Sequence, residues 1–354
     1  MHMADALISP AVGGAMWAAT ASLTAYSAKK LTKNLDEHKV PLMGVLGAFI
    51  FAAQMINFAI PATGSSGHLG GGMILAILLG PYAAFLVMAS VLTVQALFFA
   101  DGGLLALGCN IVNLGFFPCF IAYPLIYRRI AGSQPTRGRI LVGAVAAAIL
   151  GLQMGAFGVV LETWFSGLAE LSFTFFLLLM QPIHLAIGIV EGLITAAVVT
   201  FVWKTHPDIL TMNTHPEGAR AHSHKALLIG LALFAVITGG VLSWFASTHP
   251  DGLEWAIKGV TGQEELASPQ AGAHQALARV QKALSFLPDY DFKKPARGKA
   301  VEPQESRSEI SAGKSLAGVL GASMTLLLAG IIGLGLRRYF THAKTQRRKE
   351  KAQA

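Results

Sequence analysis

Charge is scarce in this chain: Asp, Glu, Lys and Arg make up 13% of its 354 residues, whereas hydrophobic residues make up 53%. Continuous apolar stretches of about 20 residues recur, and each is long enough to cross a hydrocarbon core ~30 Å thick. An ordinary water-soluble domain does not combine so little charge with such runs. The sequence therefore predicts an all-α membrane protein.

Cysteine is also rare, and three common motifs are missing. The two cysteines, Cys109 and Cys119, fall inside one apolar span, which favours small packing residues over a disulfide or a metal pair. Nothing basic precedes the first apolar run, so we expect no cleavable signal peptide. No Gly-x-x-x-x-Gly-Lys-Ser/Thr phosphate loop occurs, and ATP hydrolysis would have to come from other subunits.

The net charge of +8 comes from short basic clusters between the apolar runs. Such clusters mark cytoplasmic loops, and we expect no nucleic-acid partner. Placing the lysine-rich loop at residues 29–39 in the cytoplasm sends the N-terminus outside. The same rule sends the loop at 61–72, which carries His68, to that outer side. The first residues and His68 should therefore share one face of the bilayer.

Charge and hydropathy together predict about nine spans, arranged as seven plus two. We expect residues 1–204 to form a seven-span unit and 205–225 a cytoplasmic linker that contains histidines. Residues 226–340 should form a two-span module with an outer segment at 247–313, followed by a basic cytoplasmic tail at 341–354. The predicted spans cover residues 8–28, 41–60, 72–80, 82–99, 104–127, 140–160, 183–203, 226–245 and 316–336.

The first two residues have the chemistry of a metal chelate. The α-amine of Met1, the backbone amide nitrogen of His2 and the His2 imidazole can close two fused rings on one divalent ion. A further imidazole, for which His68 is the candidate, would complete a planar set of four nitrogens. That geometry suits Ni(II), Cu(II) or low-spin Co(II). The glycines around His68 allow its loop to approach another backbone closely.

Polar residues near the same membrane face are candidates for orienting the ligands. Gln54 and Asn57 lie at the outer end of the second span, and Ser66 lies two residues before His68. Hydrogen bonds from such groups fix the orientation of metal-binding histidines. The equal alternative is that these polar residues take part only in packing between helices.

Two further features concern the membrane interior. His184 and Glu191 are seven residues apart on one face of the seventh span, and ionisable groups inside a bilayer are functional candidates. A buried structural hydrogen bond is the alternative for this pair. Ala15 and Ala19 belong to a small-residue pattern in the first span that permits close packing against a partner subunit.

Other classes of function remain open from the residues alone. Ser66 near His68 raises the possibility of a membrane-embedded hydrolase, although residues so close along the chain rarely reach each other as a catalytic pair. A metal sensor or scaffold without transport activity is the other alternative.

Several separated motifs occur in an order that matches one known family: Met1-His2, Asp5, Ser9-Pro10, Gln54-Met55-Ile56-Asn57-Phe58, Ser66-Gly67-His68-Leu69, Phe99-Ala100-Asp101-Gly102-Gly103, Pro182 to Gly188 and Glu191-Gly192. With these motifs the chain resembles the CbiM/NikM family, the substrate-binding membrane components of energy-coupling-factor cobalt and nickel transporters. The region around Pro250-Asp251-Gly252-Leu253-Glu254 resembles the CbiN/NikN-type module with its PDGLE segment, fused to the same chain.

The resemblance implies a seven-span component of a bacterial plasma-membrane transporter with an outside N-terminus. It implies that Met1, His2 and His68 hold Ni(II) or Co(II) as the transported ion, and nickel is favoured by the fused module. It further implies a transmembrane coupling subunit and two cytoplasmic ATPase subunits as partners, so this chain itself is expected to be no enzyme.

Overall fold

A computed structural model of the chain describes residues 2–32, 39–211, 225–292 and 311–353. Nearly all the regular structure in these ranges is helical, with one antiparallel two-stranded ribbon, β1 (Phe58–Ile60) paired with β2 (Ser65–Gly67). A π-helix, Val112–Tyr127, continues α5, and short 3-10 helices span Asp5–Leu7, Leu242–Phe245 and Pro288–Tyr290. The α-helices are α1 (Pro10–Leu31), α2 (Lys39–Gln54), α3 (Gly72–Leu79), α4 (Pro81–Phe98), α5 (Leu107–Ile111), α6 (Arg128–Ala131), α7 (Arg137–Ser166), α8 (Phe173–Thr205), α9 (Pro207–Thr211), α10 (Lys225–Gly240), α11 (Gly252–Thr261), α12 (Gly272–Leu284) and α13 (Ala312–Gln353).

Helix length and hydropathy confirm a multi-pass, all-α membrane protein. Within the described ranges, five helical segments are long and apolar enough to cross a bilayer, and α2 and α10 are shorter apolar helices. The expected total of nine spans is not confirmed by this criterion. The five segments are Pro81–Phe98, Leu107–Ala131, Arg137–Ser166, Phe173–Thr205 and Ala312–Arg338.

The predicted break before Pro81 is present and has a local cause. Gly80 adopts φ 81° and ψ 164°, a conformation that favours glycine, and Pro81 occupies the first turn of α4, where its missing N–H costs nothing. The preceding helix α3 has eight residues, and all of them are buried. Helix α3 is therefore surrounded by protein, as expected for an apolar segment too short to span the membrane alone.

The seventh predicted span begins earlier than expected. Helix α8 starts at Phe173 and continues through Pro182, which the sequence placed before the span. Helices α7 and α8 form a long packed pair, and Gln153 on α7 donates a hydrogen bond to the carbonyl of Gln181 at 2.9 Å. Contacts with the neighbouring helix therefore hold α8 in place beside Pro182.

The two long helices of the fused module pack on α2 and on each other. The carbonyl oxygen of Gly239 in α10 lies 2.2 Å from the position that a Cβ would occupy at Gly318 in α13. At Gly321, such a Cβ would overlap the ring of Phe51 from α2. Small residues thus permit close backbone approach, as is typical of membrane helix interfaces. The module is docked on the helix that leads into the His68 loop.

Candidate metal-binding site

Hydrogen bonds to the backbone of Met3 fix the N-terminal segment against the helix bundle. The Met3 N–H donates to the Asn110 side-chain oxygen at 2.8 Å. The Met3 carbonyl accepts from Asn110 Nδ2 at 3.2 Å and from the Gly103 N–H at 2.9 Å. The Met3 side chain is fully buried. These bonds hold the adjacent residue, His2, against the loop between α4 and α5.

Asp5 fixes the same segment from its other end. Its Oδ1 accepts a hydrogen bond from the Ala106 N–H at 3.0 Å, and the residue is buried. A Cβ at Gly103 would lie 1.8 Å from that oxygen and 2.5 Å from the Asp5 nitrogen. Only glycine leaves room for the N-terminal segment at this position.

We therefore expect Gly103→Ala to displace residues 2–5 and lower Ni(II) affinity about tenfold. A tenfold change corresponds to about 1.4 kcal/mol of lost binding energy. Isothermal titration of the purified chain measures it. Gly14→Ala is the matched control, because among the described residues nothing outside its own helix lies within 4 Å of a Cβ at Gly14. Equal affinities of the two variants would contradict this role for Gly103.

His68 follows the β1–β2 ribbon directly, and hydrogen bonds fix the chain after it. Its Nδ1 donates to the Leu69 carbonyl at 3.0 Å, which leaves the Nε2 lone pair for a metal ion. Glu191 accepts hydrogen bonds from the N–H groups of Gly70 at 2.7 Å and Gly71 at 3.2 Å. Gln54 Nε2 donates to the Gly70 carbonyl at 2.8 Å. Glu191 and Gln54 therefore hold the loop that carries His68.

The His2 and His68 rings lie together. Their centroids are 5.0 Å apart and their planes differ by 6°. Burial lowers the pKa of both imidazoles below the ordinary value. Both rings are therefore neutral near neutral pH, which is the form that can donate a lone pair to a metal ion. Met1, the remaining ligand expected from the sequence, lies outside the described residues.

Asp101 contacts the His2 nitrogen that a chelate ring would use. Its Oδ1 lies 3.2 Å from His2 Nδ1, and its other oxygen accepts a short hydrogen bond from the Tyr290 hydroxyl. Burial raises the pKa of Asp101. A metal bound to His2 Nδ1 would replace this contact. From the sequence, Asp101 was named only as part of a motif that resembles the family, and Tyr290 was not named at all.

The fused module brings a second carboxylate to the site. Asp251 caps α11: its Oδ1 accepts from the N–H groups of Leu253 and Glu254, each at 2.8 Å. Its Oδ2 lies 4.0 Å from His68 Nε2. Burial acts to raise the pKa of Asp251, but neighbouring positive charge and the helix N–H groups outweigh it and hold this pKa below its usual range. Asp251 is therefore a fixed negative charge beside His68.

Hydrogen bonds attach this module segment to the ribbon. Ser66 donates from its N–H to the Pro250 carbonyl and from its hydroxyl to the His249 carbonyl, both at 2.8 Å. The Asn57 carbonyl accepts from the Ser247 N–H at 2.7 Å. Ser66 and the backbone of Asn57 thus contact the module backbone, and their role in orienting histidine ligands stays a prediction.

The other residues singled out from the sequence occupy separate places. His184 is buried on α8, and its Nδ1 donates to the Met180 carbonyl at 2.8 Å. Ala15 and Ala19 lie exposed on α1 and away from the histidine pair. His206 follows α8, whereas the linker histidines His215, His222 and His224 lie outside the described residues.

An open cavity of about 620 Å³ leads to the histidine pair. His2 and His68 form part of its wall, and residues from both the N-terminal part of the chain and the fused module contribute to it. Its many carboxylates favour the approach of cations. Among the described residues no group of three His, Cys, Asp or Glu side chains is close enough to form a ready-made metal centre. The acidic lining residues are Asp5, Asp101, Asp251, Glu254, Glu264, Glu265 and Asp289.

The fold and the site define a multi-pass helical membrane protein with a partly buried histidine pair that contacts the fused module. Comparison with known proteins identifies its family. The chain belongs to the CbiM family, described as the cobalt uptake substrate-specific transmembrane region, which matches residues 2–209. A PDGLE domain matches residues 225–338.

Individual relatives agree with this assignment. The fused nickel transport protein NikMN of Rhodobacter capsulatus is 29% identical over 312 residues, which cover 82% of this chain and 88% of that protein. A Haloquadratum walsbyi protein assigned to metal transport is 36% identical over 212 residues, covering 59% of this chain and 93% of its own length. The crystal structure of a truncated transition metal transporter matches with a TM-score of 0.52 and 32% identity, covering 58% of this chain and all of that one.

Proposed function

We propose that this chain is the substrate-binding membrane subunit of a transporter that imports Ni(II) or Co(II). The observation that carries the proposal is the stacked, neutral pair His2 and His68 at the end of an acidic cavity. Two residues that are 66 positions apart meet there, and both have the imidazole chemistry that these ions prefer. The names of the relatives, which refer to nickel and cobalt transport, support the same cargo.

The ion would be held by the α-amine of Met1, the amide nitrogen and imidazole of His2, and His68 Nε2. These donors form a planar set of four nitrogens. Deprotonation of the His2 amide would lower the charge of the complex by one, and the ionised carboxylate of Asp251 would offset the one positive charge that remains. The site thus suits a divalent ion that has lost most of its water.

The proposed membrane orientation places this site outside and the basic loops in the cytoplasm. Residues 1–204 would form the binding unit and 226–340 the assisting module, joined by the linker 205–225 and followed by the tail 341–354. The outer segment 247–313 would cover the site through Asp251 and its neighbours.

Energy for import would come from other subunits, since the sequence has no phosphate-binding loop. We propose a transmembrane coupling subunit and two cytoplasmic ATPase subunits, with the exposed Ala15 and Ala19 face of α1 as a packing surface for the coupling subunit. In this scheme the chain binds and releases the ion and catalyses no reaction.

Uptake of radioactive Ni(II) into vesicles tests the function. The vesicles contain this chain, the coupling subunit and the ATPases, with the ATPases on the inside. They should accumulate Ni(II) from the outside when ATP is supplied inside. Omitting the ATPases should leave binding intact and abolish accumulation. Binding without accumulation in the complete set would favour a sensor or scaffold, and the absence of Ni(II) binding by the purified chain would refute the proposal.

A further inference from the structure

Tyr290 of the fused module packs its side chain against the helix bundle. Its ring stacks on that of Phe99, directly after α4, with centroids 5.1 Å apart and planes that differ by 16°. It also meets the ring of Phe51 from α2 edge-on, with centroids 6.1 Å apart. Both phenylalanines are fully buried. The N–H of the preceding residue, Asp289, donates to the Phe99 carbonyl at 2.8 Å, so backbone and ring contacts together place Tyr290.

The backbone that carries this side chain is strained. Asp289 and Tyr290 have φ of 53° and 60°, in the left-handed region that residues other than glycine rarely adopt. Such conformations persist only where the surrounding contacts hold them, and they concentrate at functional sites. The strained turn presents the Tyr290 hydroxyl to Asp101, to which it donates a hydrogen bond. This contact is therefore a candidate for function.

Asp101 links the Tyr290 hydroxyl to the proposed metal donors. Its Oδ2 accepts the hydrogen bond from Tyr290, and its Oδ1 lies 3.2 Å from His2 Nδ1. An ion that binds His2 Nδ1 takes this partner away from Asp101. A partly buried carboxyl group that loses a hydrogen-bond partner without replacement destabilises the state in which this happens. The Tyr290 bond is on the other oxygen, so binding of the ion does not require it to break.

The loop around Asp101 is also connected to the turn after His68. The Asp101 N–H donates to the Gln95 carbonyl at 3.2 Å. Gln95 Nε2 donates to Gln54 Oε1, and Gln54 Nε2 donates to the Gly70 carbonyl, both at 2.8 Å. Both glutamines are buried. Asp101 therefore contacts one histidine directly and the turn of the other through two buried side chains.

We propose that Tyr290 is a positioning residue for metal binding. It holds Asp101 beside the His2 nitrogen in the empty site, and it keeps that carboxyl group paired once the ion has taken the nitrogen. The inference rests on the proposed function, because it names a module residue that supports the same donors. Tyr290 supplies no ligand itself, since its hydroxyl is bonded to Asp101. The fused module thereby affects the affinity of a site whose proposed ligands all belong to residues 1–204.

Titration of the purified full-length chain with Ni(II), in competition with a chelator, tests this role. Tyr290→Phe keeps the ring contacts and removes the hydroxyl, so Ni(II) affinity should fall about tenfold, the effect of losing one hydrogen bond to an ionisable group. The visible absorption of the bound Ni(II) should not change, because the four nitrogen donors remain. Tyr127→Phe removes the hydroxyl of a buried tyrosine at the end of the π-helix, and this control should bind like the wild type.

A second background separates positioning from a contribution to folding alone. In the Asp101→Ala chain, Tyr290→Phe should change the affinity by less than about twofold, because the hydroxyl has lost the group through which it acts. A full tenfold fall in that background would overturn the proposal. Wild-type affinity in the single variant Tyr290→Phe, or an altered absorption spectrum of its bound Ni(II), would also overturn it.

Hydrogen–deuterium exchange of the metal-free chain keeps the two proposals distinguishable. The N–H groups of Asp101 and Gly103 should exchange about tenfold faster in Tyr290→Phe than in Tyr127→Phe, because the loop that carries them opens more easily. If the wild-type chain binds no Ni(II), the proposed function fails, and this difference alone decides whether Tyr290 holds the loop. Equal exchange rates in the two variants would overturn the positioning role.

Discussion

Replacing His68 with alanine is expected to lower the affinity of the purified chain for Ni(II) by at least ~100-fold. The substitution removes one of four proposed nitrogen donors, and water is a weaker ligand for Ni(II) than imidazole. A ~100-fold loss corresponds to about 2.7 kcal/mol. The His68 side chain also lies against the His2 ring, so the first imidazole loses its stacking partner. Titration with Ni(II) in competition with a chelator of known affinity measures the change.

A nearby histidine provides the matched control. His249 is exposed, and only its backbone carbonyl binds the ribbon. His249→Ala should therefore keep wild-type affinity. His2→Ala should behave like His68→Ala, and so should chemical blocking of the α-amine, which removes the donor assigned to Met1. Wild-type affinity after any of these three changes would exclude the planar four-nitrogen site.

That His2 and His68 lie at the same end of the helix bundle could be predicted, because this depends on topology alone. A lysine-rich loop between two apolar runs places both residues on one membrane face, without knowledge of how the helices pack. The resemblance of Met1-His2 and the His68 motif to one family pointed to the same pair. The distance between the two rings could not be predicted, because it depends on hydrogen bonds that Met3 makes with Gly103, in the loop after α4, and with Asn110, in α5.

The contribution of the fused module could not be read from the sequence. The spacing of Asp251 and Glu254 is that of a helix capping box, and the structure contains this box. A cap is a local feature, however, and it carries no information about which distant loop the helix start will touch. The contacts of Asp251 with His68 and of Tyr290 with Asp101 depend on how the module docks against α2. Hydropathy likewise placed the start of the seventh span after Pro182, whereas α8 begins at Phe173, because packing between α7 and α8 is a tertiary effect.

Glu191 was singled out as an ionisable residue inside the membrane, and its contacts suggest what it does. Both carboxylate oxygens accept backbone hydrogen bonds from the turn after His68, at Gly70 and Gly71. The residue is 1% exposed, and its oxygen lies 2.9 Å from the position of a Cβ at Gly70. Glu191 does not line the cavity that leads to His2 and His68. We therefore treat it as a positioning residue that holds the His68 loop.

Glu191→Ala is expected to lower both Ni(II) affinity, by about 100-fold, and thermal stability. The change leaves two buried N–H groups without an acceptor, each costing about 1–3 kcal/mol, and the loop can relieve that cost only by moving His68. Glu191→Gln keeps the shape and one acceptor oxygen, so its affinity should fall about tenfold or less. Metal titration and thermal unfolding of both variants measure the two effects. If Glu191→Ala loses stability but keeps wild-type affinity, the loop does not need this anchor to present His68, and the residue only stabilises the fold.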